Sequence, residues 1–417
     1  MSVATSVSAP SPSVVTALSP VMTAVLIGFL VIGAAMPVLP LHVRDGLGFG
    51  PVMVGAVAGC QFAAALVARI WSGRAADSRG PKWAVIVGLT GASLAGLLYL
   101  FSLSFLAAPK FSVAILLAGR AVLGGAESFI ITGATTWGLA RVGAHNAGKV
   151  IAWMGTAMFA AFAAGAPLGT VLYDRGGFGA VASATAAAPL VTLILIASLQ
   201  GVPQVIQRGP SIGSVMCRIF VPGLGAALSS VGFGAIAAFS SLLFVDHNWT
   251  PVWLAFSAYA VALIVARLIF GHLPDRLGGA RVALLFVLVE TVGLVVMGLA
   301  AGGLVASIGA AVTGFGYSLV FPALGVEAVR RAPPQSRGIA MGAYTACLDI
   351  ALGISGPLLG GVASRMGLSA VFLAGAAIVL CSAGVCVALT QAMPVGRRSR
   401  PGSRADRAHA GISSANT

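Results

Sequence analysis

Two stretches of this chain repeat one phrase: residues 67–82 read VARIWSGRAADSRGPK, and residues 265–281 read VARLIFGHLPDRLGGAR. Each copy lies where an apolar run ends and a charged turn begins. The matched positions are 198 residues apart, nearly half the chain, and they pair Arg69 with Arg267, Gly73 with Gly271, and Asp77 with Asp275. Such a repeat is typical of a polytopic membrane protein built from two parallel halves.

The composition indicates the same class. Apolar residues make up 58% of the chain, charged residues only 8%, and the mean hydropathy is +1.01. A soluble domain carries about 25% charged residues. Lipid cannot satisfy backbone polar groups, so spanning segments of this kind must be helices. We therefore predict an all-α polytopic membrane protein with twelve transmembrane helices in two pseudo-symmetric six-helix bundles, at residues 21–42, 52–73, 83–105, 113–137, 150–173, 179–200, 218–243, 252–271, 282–301, 304–327, 339–363 and 369–392.

The spans divide the chain into a disordered cytoplasmic tail (1–20), an N-terminal bundle (21–200), a central cytoplasmic loop (201–217), a C-terminal bundle (218–392) and a basic cytoplasmic tail (393–417). With the N-terminus inside, seventeen Lys and Arg residues face the cytoplasm, four face outward and three lie within spans. Positive residues concentrate on the cytoplasmic side, which predicts both termini inside a cell inner membrane. The net charge of +14 then implies no nucleic-acid partner, and the basic tail is an anchor near anionic lipid.

The loop after the second span resembles the signature of the major facilitator superfamily, Gly-x-x-x-Asp-(Arg/Lys)-x-Gly-(Arg/Lys)-(Arg/Lys). The first copy matches at Gly73, Asp77, Gly80 and Lys82, and departs at Ser78 and Pro81. The second copy matches at Gly271, Asp275, Arg276 and Gly278, and departs at Gly279 and Ala280. The resemblance implies that these loops latch the halves in the outward-facing arrangement, and the repeat adds Arg69 and Arg267 to this gating architecture. The alternative is that the two aspartates merely cap loops.

Two further stretches are similar to the Gly-Pro motif that marks antiporters of the superfamily, although Ala166 replaces one glycine. They lie in the fifth and eleventh spans, at Gly165, Pro167 and Gly169 and at Gly356, Pro357 and Gly360. Small residues beside a proline give a bendable, closely packed helix, which suits the seam between the halves. Packing alone is the alternative explanation.

Three charges deep in spans have no charged counterpart in the other half. At the offset of 190 that aligns the Gly-Pro motifs, Arg120, Glu127 and Asp349 correspond to Ala310, Tyr317 and Phe159. A charge near mid-membrane costs about 2.5–3.5 kcal/mol, so it persists where it faces water, a partner or a substrate. The stretch 119–129, GRAVLGGAESF, also resembles the buried-arginine motif of the family, with Arg120 as that arginine.

These charges predict the transport chemistry. Arg120 and Glu127 are seven residues apart, so they share one helix face at about 10 Å separation along the axis. Burial raises a carboxylate pKa and a nearby arginine lowers it, which allows a proton to load and release near neutral pH. We expect Asp349 or Glu127 to carry the coupling proton, with Arg120 tuning it or contacting substrate. The alternative is a static salt bridge between the bundles.

Other side chains are weaker candidates. Glu290, midway along the ninth span, can pair with Arg267 or face a lipid headgroup, and His42, Arg44 and Asp45 follow the first span in a solvated loop or an outer vestibule. Cavity-lining candidates are Gln61, Trp137, Tyr317 and Tyr344.

Enzymatic readings fit poorly. Gly143 to Lys149 has the spacing of a phosphate-binding loop, but Val150 stands where Ser or Thr is required. The histidines are not clustered and the five cysteines have no CxxC spacing, so we expect no metal, cofactor or enzymatic activity. The resemblance implies a secondary active transporter, monomeric, of the bacterial proton-driven drug and arabinose-like sugar efflux branch, exporting a drug, sugar or metabolite. A proton-coupled importer, or a non-transporting membrane sensor or scaffold, is the alternative.

Overall fold

The computed structural model describes residues 14–143, 146–199, 201–202, 212–332 and 337–391. The helices of the first half are α1 (Val14–Leu41), α2 (Pro51–Arg79), α3 (Pro81–Leu103), α4 (Pro109–Val142) and α5 (Ala147–Ala197). Those of the second half are α6 (Ile212–Asp246), α7 (Leu254–Phe270), α8 (Leu273–Leu277), α9 (Gly279–Gly298), α10 (Gly303–Arg331), α11 (Arg337–Met366) and α12 (Leu368–Gln391). A π-helical turn, His42–Gly46, follows α1.

Ten of the described helices are long and apolar enough to cross a membrane. One of them, α5, has 51 residues and contains two crossings, because Gly176 and Gly177 leave helical geometry with φ of −144° and +60°. The apolar α7 is shorter, at 17 residues, and supplies one more crossing. The described helices therefore make twelve crossings, and the predicted all-α fold is confirmed.

The predicted segment boundaries shift at two places. Helix α1 begins at Val14, so residues 14–20 are helical where a tail was predicted. Helix α6 begins at Ile212, inside the predicted loop 201–217. Residues 1–13, most of the remaining loop and the basic tail 393–417 lie outside the described residues.

The two halves meet through a small set of helices. Within the halves, α1 packs on α5, α3 on α4, and α9 on α10. Between the halves, α2 packs on α11 and α5 packs on α7. Helix α1 begins and α12 ends on the same side of the membrane, which we call the terminal face; the other side is the opposite face.

Close backbone packing seals the seam toward the opposite face. A Cβ at Gly356 of α11 would overlap the carbonyl oxygen of Gly55 on α2, and one at Gly59 would overlap that of Gly353. Glycine is required here because the helix backbones touch. Farther out, Arg44 Nη1 lies 2.5 Å from Asp246 Oδ1, which joins the π-helical turn to the end of α6.

The seam is open toward the terminal face. A Cβ at Gly73 on α2 or at Gly342 on α11 would meet no atom within 4 Å. The two halves are therefore in contact toward the opposite face and separated toward the terminal face.

The sequence repeat is also visible in the contacts. Gly80 and Gly278, 198 residues apart, both adopt positive φ, at +95° and +90°, in the turn after the repeated phrase. Gly59 lies against Gly353 between α2 and α11, and at the equivalent place Ser257 Oγ donates a hydrogen bond to the Ala163 carbonyl, at 3.0 Å. The interfaces α2–α11 and α7–α5 are therefore pseudo-symmetric copies.

Candidate transport site

An ion pair joins the two halves where the seam begins to open. Arg69 of α2 donates from Nε and Nη2 to the two carboxylate oxygens of Asp349 on α11, at 2.5 and 3.0 Å. Asp349 is buried and Arg69 is partly exposed. A bidentate arginine–carboxylate pair is charge-assisted and geometrically specific. The arginine expected in the gating loops and the carboxylate expected to carry a proton therefore contact each other directly.

The second carboxylate candidate lies within the N-terminal half. Gln61 Nε2 of α2 donates to Glu127 Oε2 of α4 at 2.6 Å. The two helices are also joined one residue away, where Ser128 Oγ donates to the Ala65 carbonyl at 2.7 Å. Gln61 is buried and Glu127 remains partly exposed. Gln61 therefore fixes the position of Glu127. The contacts of Gln61 do not indicate an independent cavity-lining role.

Arg120 lies apart from both carboxylates. Its side chain is 1% exposed and donates from Nε to the Val57 carbonyl at 3.3 Å. It lines a small internal cavity with residues of α1, α2 and α6, and its Nη1 has no partner among the described residues. Arg120 and Glu127 are about 10 Å apart along α4, and they form no ion pair with each other.

The pseudo-symmetric counterpart of Arg69 has a different partner. The guanidinium carbon of Arg267 lies 5.4 Å from the ring centroid of Phe159, which is on α5 in the other half. Its Nη2 donates to the Ser318 carbonyl at 3.2 Å. Phe159 is the residue that corresponds to Asp349 at the offset of 190. One inter-half contact is therefore an ion pair and its copy is a cation–π contact.

Aromatic rings surround the second contact. Phe162 from the N-terminal half stacks near Phe233 from α6, with ring centroids 6.2 Å apart. Phe233 in turn lies 6.3 Å from Tyr317 and 5.7 Å from Tyr259. Of the predicted cavity residues, Tyr317 therefore belongs to this inter-half cluster.

The other two predicted cavity aromatics are packing residues. Trp137 is 0% exposed, with Arg141 over its ring at 5.7 Å. Tyr344 is also 0% exposed, and its hydroxyl donates to the Phe321 carbonyl at 2.7 Å. In this state neither side chain reaches an open surface, and their cavity-lining position stays a prediction.

The gating-loop residues lie on the terminal face. Asp77, Asp275 and Arg276 are exposed, and within the described ranges they form no ion pair or side-chain hydrogen bond. Lys82 instead donates to the Ala197 and Leu199 carbonyls, at 2.9 and 2.5 Å, and so caps the end of α5. The latch that the resemblance implies for the outward-facing arrangement is open in this state.

The two Gly-Pro stretches pack differently. A Cβ at Gly165 or Gly169 would overlap the backbone of α1, which is in the same half. A Cβ at Gly356 or Gly360 would overlap the backbone of α2 across the seam. Only the stretch with Pro357 therefore lies at the position between the halves that the sequence predicted, whereas the stretch with Pro167 packs inside a bundle.

Two contacts were missed from the sequence. The loop residue Arg44 binds Asp246 across the halves, although the two are 202 positions apart. Glu290 is fully buried and accepts a hydrogen bond from Ser229 Oγ at 2.5 Å, so neither of its predicted surroundings, Arg267 or lipid headgroups, is found. The local sequence around Arg44, Asp246 and Glu290 contains no signal for partners this far away along the chain.

Comparison with known proteins identifies the family. The sequence profile of the Major Facilitator Superfamily matches residues 21–213 and 222–414, one match to each half. An uncharacterized MFS-type transporter of Salmonella typhimurium is 40% identical over 88% of this chain and 94% of its own length. One from Burkholderia mallei is 41% identical over 88% of this chain and 90% of its own length.

Solved structures agree on the fold. A human organic anion transporter has a TM-score of 0.67 at 16% identity, covering 90% of this chain and 100% of its own. A nucleoside transporter has a TM-score of 0.70 at 14% identity, with the same coverage. One conclusion follows from the twelve crossings, the two pseudo-symmetric halves, the profile match to each half and the full-length relatives. The chain belongs to the major facilitator superfamily and is a multi-pass membrane transporter, not an enzyme.

Proposed function

We propose that this protein is a proton-coupled antiporter that exports a small molecule by alternating access. The Lys and Arg distribution supports assigning the terminal face to the cytoplasm and the protein to the cell inner membrane. The transport path between the halves is built from one chain, which supports a monomer as the working unit. The conformation described above is then the cytoplasm-facing state.

The ion pair between Arg69 and Asp349 carries the proposal. It joins α2 to α11 at the point where the seam opens, so its strength bears directly on the relative position of the halves. Protonation of Asp349 removes the negative charge that both guanidinium nitrogens contact. A bridge that depends on the charge of one carboxylate couples proton binding to rocking of the bundles.

Glu127 is the second candidate for the proton. Its partner Gln61 belongs to the same half, so protonation of Glu127 breaks no contact between the halves. It is partly exposed, which gives it access to the space between the bundles. We therefore assign Asp349 the role of coupling group and Glu127 that of a neighbouring carboxylate that exchanges protons or contacts cargo.

The cycle follows from this assignment. In the cytoplasm-facing state Asp349 releases its proton to the cytoplasm, its carboxylate is held by Arg69, and cargo binds. After rearrangement the opposite face opens, an external proton neutralises Asp349, and cargo is released outward. The glycine-packed seam between α2 and α11, including Gly356 and Gly360, supports tight closure against proton leak.

The test is a substrate screen in inverted membrane vesicles with an imposed pH gradient. Export by antiport predicts that cargo collapses the gradient, that Asp349→Asn abolishes the response, and that Glu127→Gln weakens it. Asp174→Asn, at an exposed site on α5, is the matched control and should leave the response unchanged. Alkalinisation outside intact cells on adding cargo would instead indicate import, and failure of every compound to collapse the gradient or accumulate would contradict proton-coupled transport.

A further inference from the structure

The guanidinium of Arg267 is a charge without a carboxylate partner. Its contacts with protein are one hydrogen bond to the Ser318 carbonyl and the face of the Phe159 ring. Its Nε is out of solvent and has no hydrogen-bond partner in the described part of the chain. The side chain as a whole is partly exposed at the seam, so the remaining nitrogens can be reached from the space between the halves.

The described residues offer no other anion for this position. The chain has ten acidic residues, and nine of them lie in the described ranges. Asp349 is held by Arg69, Glu127 by Gln61 and Glu290 by Ser229, and none of the nine forms an ion pair with Arg267. The tenth, Asp406, belongs to the predicted tail beyond the last span.

An uncompensated arginine within a span is costly, and it is retained where it serves an ion or substrate path. Comparison of the two repeated halves shows that only Arg267, and not Arg69, carries this energetic cost. Arg69, the counterpart, has Asp349, and the counterpart of Asp349 is Phe159. The second half has therefore kept the cation while the facing position carries no acid.

The residues around Arg267 indicate what this cation can bind. Tyr317 directly precedes Ser318, whose carbonyl accepts the hydrogen bond from Arg267, and its ring lies 6.4 Å from that of Tyr259. The Tyr259 hydroxyl is buried and has no hydrogen-bond partner among the described residues. The rings of Phe162 and Phe233 extend this aromatic cluster across both halves. Arginine and a phenol are hydrogen-bond donors to an oxyanion, and the rings offer stacking area for a flat apolar body.

We propose that Arg267 is the cargo-binding cation and that the cargo is an organic anion, with a carboxylate or phosphate at Arg267 and an apolar, preferably aromatic, body against the ring cluster. This assignment names the substrate class of the transporter and rests on the proposed transport function. Cargo bound here bridges the halves, because Arg267 and Tyr259 belong to one and Phe159 and Phe162 to the other.

The test measures binding by the full-length protein in nanodiscs, with no proton gradient. Thermal unfolding is followed with benzoate, 2-naphthoate or phenyl phosphate, and with the neutral and cationic analogues benzamide and benzylammonium. The proposal predicts that at least one aromatic anion raises Tm by several degrees at millimolar concentration, while the analogues do not. A response to the carboxylates, to the phosphate or to both identifies the anionic group.

Variants locate the site. Arg267→Gln should lose the shift and Arg267→Lys should keep part of it. Phe159→Glu supplies a carboxylate opposite Arg267 and should also lose the shift, whereas Phe159→Leu should keep it. Because Arg267→Lys and Phe159→Leu retain the cation, they show whether a lost shift reflects binding or misfolding. Stabilisation by benzylammonium alone, an undiminished shift in Arg267→Gln, or no shift with any anion would overturn the proposal. Since no gradient is used, a failure of this binding test and a failure of proton coupling at Asp349 are distinguishable.

Discussion

The two inter-half contacts formed by Arg69 and Arg267 are copies of one another with different partners. Both arginines end the same Val-Ala-Arg phrase, on α2 and on α7. Arg69 meets the carboxylate of Asp349 on α11, and Arg267 meets the ring of Phe159 on α5. The same scaffold therefore carries a bridge that a proton can break and a contact that a proton cannot change.

The difference separates architecture from chemistry. Close backbone packing, positive-φ glycines and the arginines themselves recur in both halves. The acid Asp349, which faces Arg69 across the halves, does not recur opposite Arg267, and in the proposed mechanism its position determines which interface responds to protons. In the proposed mechanism, proton coupling belongs to the α2–α11 interface and recognition of the cargo charge to the α5–α7 interface.

Removing the acid should have the largest effect. Asp349→Asn leaves Arg69 without a charged partner, and breaking a buried ion pair costs about 3–5 kcal/mol. We expect gradient-driven transport to fall by about 100-fold, since about 1.4 kcal/mol corresponds to a factor of ten. Exchange of labelled for unlabelled cargo, which needs no proton, should continue in proteoliposomes. Equal loss of both activities would mean that Asp349 is structural.

Adding an acid to the other interface should have a smaller effect on transport. Phe159→Glu places a carboxylate facing Arg267 and makes the two interfaces alike. The extra bridge should stabilise the state open to the terminal face and compete with anionic cargo for Arg267, so transport at saturating cargo should slow by about ten-fold, equivalent to about 1.4 kcal/mol. Turnover in proteoliposomes measures this, with Phe159→Leu as the uncharged control. An unchanged rate would show that this interface does not resist the rearrangement.

Glycine substitutions compare packing between the halves with packing inside one half. Gly356→Ala would force α11 away from α2, and Gly165→Ala would force α5 away from α1. Overpacking of this kind costs about 1–3 kcal/mol. We expect Gly356→Ala to increase labelling of a cysteine placed at Val52, on the opposite face, several-fold. Gly165→Ala should lower Tm without changing that labelling, and the reverse pattern would contradict the assigned packing.

The outer ion pair should have the smallest effect. Arg44→Ala removes the contact with Asp246, but both side chains are partly or largely exposed. Exposed pairs contribute about 0.2–1 kcal/mol and are weakened by salt. Transport should rise or fall by no more than about five-fold, and the difference from the unsubstituted protein should shrink at high ionic strength. A large, salt-independent loss would make Arg44 part of the transport path.

The sequence was sufficient for the fold because membrane helices depend on local features. Apolar length, turn glycines such as Gly80 and Gly278, and the repeat are each read within a short window. The internal break at Gly176 and Gly177 was also marked by composition, since the predicted fifth and sixth spans end and begin around it.

The site could be predicted only in part. Comparing single residues between the halves singled out Asp349 correctly as unmatched, but it placed Arg69 with shared architecture because Arg267 matches it. Each arginine can instead be compared together with the residue that faces it, using the offset of 198 for the arginines and 190 for the facing residues. That comparison shows that Arg69 has an acidic partner and Arg267 does not. The burial of Arg120 and Trp137 could not be predicted for another reason: helix periodicity gives a face, and only tertiary packing determines what covers it.

The most direct test of the account is the separation of α2 and α11 at the terminal face as a function of pH. Spin labels at Gly73→Cys and Gly342→Cys, in a variant lacking the five native cysteines, would report it, because both positions face open space. The bridge stabilises this state only while Asp349 is charged, so lowering the pH should shift the population toward shorter distances. Asp349→Asn should give the short-distance population at every pH, and Asp174→Asn should behave as the parent. A parent protein that does not respond to pH, or an Asp349→Asn variant that keeps the full response, would contradict the account.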